Sequence, residues 1–370
     1  MLSTDQRIFE ENSEVRQRMA DFGSVFDELR IIVYTRGNLY KKTAIAGNVF
    51  VYSTNTKFKP FYFFDVYKIA KSLITNGQLS VISCQDPFET GFAGWLLKLR
   101  FKIPFQIQVH TDLFSPYFWR ESFKNKLRVL LAKFLLPRAD GIRVVSERIK
   151  QSLKSNVKCQ MSNVFVLPVF IDIQKIKNEK IRTDLHKKYF DYDFIILMAS
   201  RLTGEKNIGM AVGVMSEIVK KYPKALLLIV GDGPERGALQ KSIVKSRLLN
   251  VVIEHWTDDL ISYYKTADLF LFTSNYEGYG RTVVEAMAAG LPVIMTNVGL
   301  AGDILKDNLN GLIVPINNLG ELKRGIRILM DDKEKRKDIS RKSIETVGNF
   351  PIKKNYFEKY RNSLNLKSVA

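Results

Sequence analysis

Two glutamates, Glu277 and Glu285, are separated by seven residues in a segment that also contains glycines. The segment reads SNYEGYGRTVVEAMAAGLPV from Ser274 to Val293. Carboxylates are poor phosphate ligands, but their oxygens accept hydrogen bonds from hydroxyl groups. The pair therefore predicts two positions that bind hydroxyls of a sugar or a ribose. The alternative from these residues alone is one acid on a surface loop and another on a helix.

The elements around the two glutamates predict a phosphate site between them. An apolar run of strand length precedes them at Asp268 to Phe272, and another follows at Val293 to Met295. Residues 281–289 are rich in helix formers, and Gly290 gives a stop signal. Gly280 supplies an open turn, after which the helix presents backbone N–H groups and the positive end of its dipole. We expect a phosphate at this helix N-terminus.

A second glycine turn carries two cations. The apolar run Phe194 to Ala199 continues into the loop SRLTGEKN, in which Arg201 and Lys206 lie on either side of Gly204. Ligands of parallel α/β sheets bind beyond the carboxyl ends of the strands, where this loop is expected. A guanidinium fork and a compact ammonium together suit a diphosphate. As charges alone, they are also explained by a solvated loop.

Two further positions are weaker candidates by themselves. Gly231 follows the apolar run Ala225 to Val230 and opens a turn before a helix, although a plain turn explains it as well. His110 ends a strand that begins at Phe105, and it is one of only three histidines in the chain. An isolated histidine is more often structural than functional. Neither residue type therefore predicts a function without further information.

The glutamate segment closely resembles the E-x7-E signature of retaining nucleotide-sugar glycosyltransferases of family four. The matching residues are Glu277, Gly278, Gly280, Glu285-Ala-Met-Ala and Gly290-x-Pro292-Val, and the resemblance extends in order from about residue 3 to the C-terminus. It implies the GT-B fold, with two doubly wound Rossmann-like α/β domains facing each other across a cleft. The expected domains are an acceptor-side domain at 1–170, a donor domain at 171–350 and a C-terminal helix at 351–370 that crosses back.

The resemblance also implies which residues act. Catalytic roles are expected for His110, Glu277, Arg201 and Lys206, and nucleotide-sugar binding for Arg201, Lys206, Gly231, Gly278, Tyr279, Gly280, Arg281 and Glu285. The two cations and the helix N-terminus would stabilise the departing diphosphate, Glu285 would bind the ribose, and Glu277 and His110 would contact the donor sugar. Similar enzymes commonly have glycine in place of His255, which leaves the local backbone and any contact with the nucleobase open.

No metal is expected, and no cofactor other than the nucleotide-sugar co-substrate. Asp191 and Asp193 spell the D-x-D of metal-dependent transferases, but they precede a strand, whereas a metal site belongs after one. The two cysteines, Cys84 and Cys159, are isolated, which favours reduced structural thiols. A phosphorylase of the same architecture is disfavoured because the chain has no lysine motif for pyridoxal phosphate.

The net charge of +19 indicates anionic partners. Residues 1–170 hold 25 basic and 14 acidic side chains, so the excess leans toward the N-terminal part. There, the segment Pro116 to Pro137 interleaves aromatic residues, leucines and bases at helical spacing. Such a segment is either a helix packed on the core by its apolar face or a helix that contacts an anionic membrane.

The expected localisation is cytoplasmic, including a peripheral position on the inner face of the cell membrane. The longest apolar runs are far shorter than the roughly 20 residues of a spanning helix, and the first residues lack a signal pattern.

The predicted function is transfer of a sugar from a nucleotide-sugar donor to a glycan or lipid-linked acceptor, with retention, in cell-surface polysaccharide or glycolipid synthesis. Two alternatives stay open: a GT-B sugar-nucleotide epimerase, and a basic, non-catalytic protein that binds lipid or nucleic acid. The second leaves Glu277 and Glu285 unexplained, so no nucleic-acid partner is expected.

Overall fold

The computed structural model describes residues 1–37, 40, 42–58, 62–75 and 79–366, which form two compact units. The first unit consists of Met1–Pro168 and the C-terminal segment from Lys353 on, and the second consists of Val169–Ile352. The last four residues of the predicted C-terminal helix lie outside the described residues.

The described residues of the first unit contain an eight-stranded sheet with the order β3-β4-β2-β1-β5-β6-β7-β8. Its strands are β1 (Leu2–Ser3), β2 (Leu29–Val33), β3 (Thr43–Ala46), β4 (Val49–Ser53), β5 (Ile82–Cys84), β6 (Phe105–Val109), β7 (Gly141–Val144) and β8 (Val164–Val166). Neighbours are parallel except at one edge, where β3 runs antiparallel to β4. The sequence pattern did not predict β3, because this short edge strand has no buried residue.

Helices connect these strands: α1 (Glu14–Phe22), α2 (Tyr62–Thr75), α3 (Glu89–Phe101), α4 (Pro116–Glu121), α5 (Phe123–Leu135) and α6 (Glu147–Asn156). Helix α1 does not continue the short 3-10 turn Gln6–Phe9 that precedes it. The hydroxyl of Ser13 accepts a hydrogen bond from the N–H of Arg16 at 3.1 Å. This N-cap starts a new helix at Glu14.

The basic aromatic segment forms two helices instead of one. Ser122 has extended backbone angles, and its hydroxyl caps α5 by accepting from the N–H of Asn125 at 3.1 Å. On α4, Phe118 is buried, and its ring stacks on Phe88 with 6.2 Å between centroids. One face of α5 is also buried, through Asn125, Val129, Ala132 and Leu135. Core packing therefore explains only part of the segment.

The described residues of the second unit contain an all-parallel six-stranded sheet with the order β11-β10-β9-β12-β13-β14. Its strands are β9 (Phe194–Ala199), β10 (Ala225–Val230), β11 (Val251–Glu254), β12 (Leu269–Phe272), β13 (Val293–Thr296) and β14 (Leu312–Val314). Its helices are α7 (Ile173–Asn178), α8 (Leu185–Lys188), α9 (Ile208–Lys221), α10 (Arg236–Lys245), α11 (Leu260–Thr266), α12 (Arg281–Ala288), α13 (Leu319–Asp331) and α14 (Lys333–Gly348). Every residue of β9 and β10 is buried, as expected for central parallel strands. The prediction of two Rossmann-like α/β domains is confirmed.

The last helix, α15 (Lys353–Asn362), packs on the first unit. Its Phe357 and Tyr360 lie against Phe22 of α1, with ring centroids 5.0 and 4.4 Å apart. Lys353 forms an ion pair with Asp21 at 2.8 Å. Aromatic burial thus fixes this helix beside α1. Across the described ranges of both units, no helix combines the length and apolarity needed to cross a membrane.

Candidate active site

The loop after β9 is held against the loop after β12 in the second unit. A short 3-10 turn, Gly204–Lys206, leads into Asn207, which adopts a left-handed conformation with φ of 46° before α9 begins. The hydroxyl of Thr273 donates to the carbonyl oxygens of Lys206 and Asn207 at 2.9 and 3.1 Å. The N–H of Asn275 donates to the carbonyl oxygen of Glu205 at 2.8 Å. The carboxyl ends of two adjacent strands therefore carry one joined loop structure.

Lys206 and Glu277 meet in this structure. The Lys206 ammonium lies 2.5 Å from a Glu277 carboxylate oxygen and 3.3 Å from an oxygen of Glu205. Only 12% of the Lys206 side chain is exposed, so the three charges form a compact, largely desolvated cluster. The predicted diphosphate cation and the predicted sugar-binding carboxylate are thus brought together.

Glu205 is a site residue that the sequence pattern did not predict. Besides Lys206, its carboxylate accepts from Nη2 of Arg201 at 3.0 Å and from the hydroxyl of Tyr276 at 3.3 Å. Arg201 is therefore next to the cluster, but it pairs with Glu205, and its side chain is exposed. Glu205 lies beside Lys206 in the glycine turn, and its charge in a cationic loop was the signal that could have identified it.

Two glycines determine the backbone geometry at the start of α12. Gly280 is its N-cap residue with φ of 101°, a conformation that favours glycine. A second glycine, Gly299 with φ of 54°, lies so close that an added Cβ atom would be 2.5 Å from the carbonyl oxygen of Tyr279. The N–H of Leu300 donates to that same oxygen at 3.0 Å. Tyr279, which lies between Gly278 and Gly280 in the chain, is buried.

Glu285 lies in the second turn of α12, and each of its carboxylate oxygens accepts a hydrogen bond. Nε of Arg281 donates to it at 2.6 Å, and the hydroxyl of Tyr264 donates at 3.2 Å. Tyr264 is buried, and burial together with the Glu285 charge raises its pKa well above the ordinary value. The hydrogen bond from Tyr264 ties Glu285 to α11, while its other partner Arg281 is partly exposed.

Gly231 has a steric requirement that a plain turn does not explain. Its φ is 154°, and a Cβ atom there would lie 1.9 Å from the carbonyl oxygen of Ser200. The neighbouring Asp232 accepts from the N–H of Trp256 at 3.0 Å and pairs with Nδ1 of His255 at 2.7 Å. These two contacts lower the pKa of Asp232. Only glycine at 231 lets the ends of β9 and β10 approach this closely.

His255 occupies a position where similar enzymes commonly have glycine, and the structure accommodates it. The residue follows the end of β11, and it is not among the residues with positive φ in the described chain. Its ring is exposed and reaches Asp232. The substitution therefore leaves the backbone ordinary and adds an exposed imidazole beside Gly231.

His110 belongs to the first unit, directly after β6. Its Nε2 lies 3.1 Å from the side-chain oxygen of Gln108, and part of the ring reaches solvent. Desolvation by the surrounding protein, followed by the charges of Arg143 and Arg18, lowers the pKa of His110 below its ordinary value. The imidazole is consequently neutral near pH 7.

Comparison with known protein families identifies the class of the chain. The family described as Glycosyl transferases group 1 matches residues 181–346, and the family described as Glycosyltransferase Family 4 matches residues 27–175. The chain belongs to the family-four glycosyltransferases. The family that the E-x7-E resemblance predicted is thereby confirmed.

Relatives and a solved structure resemble this glycosyltransferase over different lengths. An uncharacterized glycosyltransferase of Methanocaldococcus jannaschii is 26% identical over 79% of this chain and 77% of that protein. The alpha-monoglucosyldiacylglycerol synthase of Streptococcus pneumoniae is 27% identical over 64% of this chain and 56% of that protein. The structure of Anabaena HepE in complex with UDP is 17% identical, covers 98% of both chains and has a TM-score of 0.77. This structural likeness identifies the fold as GT-B.

Within the described part of this glycosyltransferase, no group of three or more histidines, cysteines, aspartates and glutamates is arranged to hold a metal ion. Asp193 of the D-x-D sequence pairs with Lys224 at 3.4 Å, just before β9 begins. It therefore lies at the amino end of the strand, whereas Lys206 and Glu277 follow carboxyl ends.

Proposed function

We propose that this glycosyltransferase moves a sugar, with retention, from a nucleotide-sugar donor to a lipid-linked or glycolipid acceptor at an anionic membrane surface. The observation that carries the proposal is the Lys206–Glu277 contact at 2.5 Å, because it joins a cation that can bind phosphate to a carboxylate that can bind hydroxyl groups. The pair lies at the carboxyl edge of a parallel sheet, where ligands of such folds bind, and non-catalytic lipid binding does not require it.

Donor binding would reorganise the Lys206 cluster. A diphosphate carries more negative charge than one carboxylate, so it competes with Glu277 for the Lys206 ammonium. Glu277, once released, would accept a hydrogen bond from a hydroxyl of the donor sugar. Glu205 would continue to hold Lys206 in place, since its carboxylate lies 3.3 Å from the ammonium. The pair would thus couple diphosphate binding to sugar binding.

Charge develops on the diphosphate as the bond to the sugar breaks. Lys206, Arg201 and the backbone N–H groups at the start of α12 would stabilise that charge without a metal ion. Glu285 would bind the ribose hydroxyls, and the departing phosphate would take the proton of the acceptor hydroxyl. Retention and metal independence are parts of this proposal.

The exposed face of α5 supports a membrane-bound acceptor. Its residues Phe123, Leu127, Leu130 and Phe134 are between 38% and 74% exposed. Their spacing of four, three and four residues places them on one stripe, opposite the buried face of the helix. A stripe of large apolar side chains in water is unfavourable unless a partner covers it.

Charge indicates which partner covers this stripe. Lys124, Lys126 and Lys133 are exposed along α5, and Arg120 is exposed on α4. An apolar stripe flanked by lysines suits an anionic bilayer, in which the apolar side chains enter the headgroup boundary and the ammonium groups stay at the phosphates. Trp119, partly exposed on α4, adds an aromatic side chain of the kind that favours the membrane interface.

The proposal is tested first with the donor. Thermal unfolding of the full chain would be followed with UDP-, GDP- and ADP-sugars, beginning with UDP because HepE was solved with it. A donor at about 100 times its Kd stabilises the protein by about 2.7 kcal/mol, which a melting curve resolves easily. Lys206→Met should lose this stabilisation, and Lys224→Met, which removes an exposed ion pair in the same unit, should keep it.

The acceptor is tested with vesicles that contain diacylglycerol in an anionic lipid matrix. Release of nucleoside diphosphate that depends on these vesicles, together with a glycolipid product, would support the proposal. If no nucleotide sugar stabilises the protein and none is turned over, the proposal is wrong. Turnover onto a soluble glycan alone would keep the donor assignment and reject the lipid acceptor.

A further inference from the structure

Gln108, on β6, is a buried amide that uses both ends of its side chain. Its nitrogen donates to the hydroxyls of Ser83 and Tyr360, each at 2.9 Å. Its oxygen lies 2.8 Å from Nη1 of Arg143 and 3.1 Å from Nε2 of His110. An amide nitrogen has two donors and an amide oxygen two acceptor positions, so every hydrogen-bonding position of this side chain has a partner.

Arg143 determines the orientation of that amide. Its guanidinium is buried and has donors only; it also donates to the carbonyl oxygens of Leu167 and Pro168 at 3.1 and 3.0 Å. A reversed amide would place the NH2 group of Gln108 against these N–H groups, donor against donor. Buried donors without an acceptor are costly, so the oxygen must face Arg143. The same oxygen then faces the imidazole.

We infer that Gln108 and Arg143 hold His110 as the tautomer with its proton on Nε2, which leaves the Nδ1 lone pair to accept from a hydroxyl of the donor sugar. The amide oxygen can only accept, so the ring nitrogen that faces it must donate. Gln108 and Arg143 are thus positioning residues, and His110 is the group that contacts the substrate. The substrate hydroxyl rests on the proposed function, whereas the tautomer depends only on the protein.

The charges around the ring are consistent with a single neutral form. Arg143 on β7 and Arg18 on α1 are the cations that act on His110, and both disfavour a second proton. Desolvation acts in the same direction and more strongly, so the pKa of His110 is lowered. A neutral imidazole carries one N–H proton, and Gln108 determines which of the two ring nitrogens holds it.

The C-terminal helix takes part in this support. Tyr360 of α15 accepts from Gln108, and its ring centroid lies 5.1 Å from the guanidinium carbon of Arg143. The hydroxyl of Tyr356, one turn earlier, accepts from Nη2 of Arg143 at 2.9 Å. The segment after residue 352 therefore contributes to positioning His110.

Gln106 provides a matched control on the same strand. It lies two residues before Gln108 and is equally buried, and its nitrogen donates to the carbonyl oxygen of Ser363 at 2.6 Å. Among the described residues, it forms no hydrogen bond with His110. Gln106→Met removes a buried amide and a contact to the C-terminal segment, whereas Gln108→Met also removes the acceptor for the imidazole.

The test is long-range 1H–15N NMR of the full chain near pH 7, which reads the protonated nitrogen of each histidine. The three histidines give a simple spectrum, and His110→Gln assigns the relevant signals. We expect Nε2–H for His110 in the wild type and in Gln106→Met, and a tautomer mixture in Gln108→Met. A wild-type proton on Nδ1, an even mixture, or the same change in both variants would overturn the inference. The wild-type spectrum decides even if Gln108→Met fails to fold.

Kinetics separate this inference from the proposed function. If the Nδ1 lone pair binds the donor sugar, Gln108→Met should lower kcat/KM for the nucleotide sugar on the order of tenfold, and Gln106→Met should stay near the wild type. Absence of turnover in the wild type would reject the proposed function and leave the tautomer result standing. An altered tautomer with unchanged kinetics would reject the role of the lone pair in substrate binding.

Discussion

The Lys206 ammonium lies 2.5 Å from the Glu277 carboxylate, although 71 positions separate the two residues in the chain. Lys206 ends the turn after β9, and Glu277 follows β12, which pairs with β9 in the sheet. The contact therefore depends on strand order. It also means that each residue already has a counter-charge before any ligand binds.

We predict that Lys206→Met lowers kcat on the order of 10²-fold or more, because it removes a charge-assisted donor from the departing diphosphate. Glu277→Gln should lower kcat/KM for the donor and keep the fold, since an amide fills the same space. The measurement is nucleoside diphosphate release at saturating acceptor, with Lys224→Met as the control outside the cluster. Activity of Lys206→Met equal to that of the control would remove Lys206 from the catalytic group.

Glu285 should tolerate glutamine better than alanine. In Glu285→Ala the buried hydroxyl of Tyr264 loses its acceptor, which costs about 1–3 kcal/mol, whereas Glu285→Gln keeps an acceptor oxygen. We expect Glu285→Ala to melt several degrees lower and Glu285→Gln to melt near the wild type while binding the donor more weakly. Melting curves with and without donor separate the two effects. Equal melting temperatures for both variants would show that the Tyr264 contact does not stabilise the fold.

Sequence patterns predicted the elements of the second unit well because its central strands are uniformly apolar. The runs Phe194 to Ala199 and Ala225 to Val230 became β9 and β10 without a change of bounds, and every residue in them is buried. Strand β3 was not predicted, for the opposite reason: an edge strand with no buried residue has no apolar pattern.

Contacts between loops could not be predicted from the chain alone. Glu205 contacts Tyr276 because β9 and β12 are neighbours, and that adjacency does not follow from their order in the sequence. The support of His110 was missed because Gln108 and Arg143 are polar, and polar residues in a strand suggest an exposed face. Here they satisfy each other in the interior.

The lowered pKa of His110 predicts how stability depends on pH. The folded state disfavours the second proton, so the unfolded chain binds it first as the pH falls below its ordinary pKa of about 6.5. Stability from this residue is complete above that pH and declines below it. We expect the loss in melting temperature between pH 7.5 and 5.5 to be smaller in His110→Gln than in the wild type. The same loss in both proteins would show that His110 does not titrate differently on folding.

Chelation should leave the rate nearly unchanged, because Lys206, Arg201 and the start of α12 are proposed to stabilise the diphosphate. The measurement is the initial rate after treatment with EDTA and after readdition of Mg²⁺ or Mn²⁺. Asp193→Asn, which removes the ion pair with Lys224, should be as active as the wild type. Strict dependence on a divalent ion, together with an inactive Asp193→Asn, would transfer the role to the D-x-D sequence.

The exposed stripe of α5 should bind anionic vesicles. We expect co-sedimentation with vesicles that contain anionic lipid at low salt, and weaker binding at high salt, since each surface cation contributes about 1 kcal/mol near a charged leaflet and salt screens it. Phe123→Ser with Leu127→Ser should weaken binding on the order of tenfold, because two apolar side chains no longer enter the headgroup boundary.

The control for this prediction is Phe190→Ser, which removes an exposed aromatic side chain from the second unit. Its binding should equal that of the wild type, as should its melting temperature. Replacing Lys126 and Lys133 with glutamine should mainly reduce the salt-sensitive part of the binding, because these lysines lie on α5 and are exposed. Equal losses in Phe190→Ser and in the α5 variant would mean that lipid binding is non-specific hydrophobic adsorption and does not depend on α5. If the wild type does not bind anionic vesicles at low salt, α5 does not dock on a membrane, and its apolar stripe must face another partner.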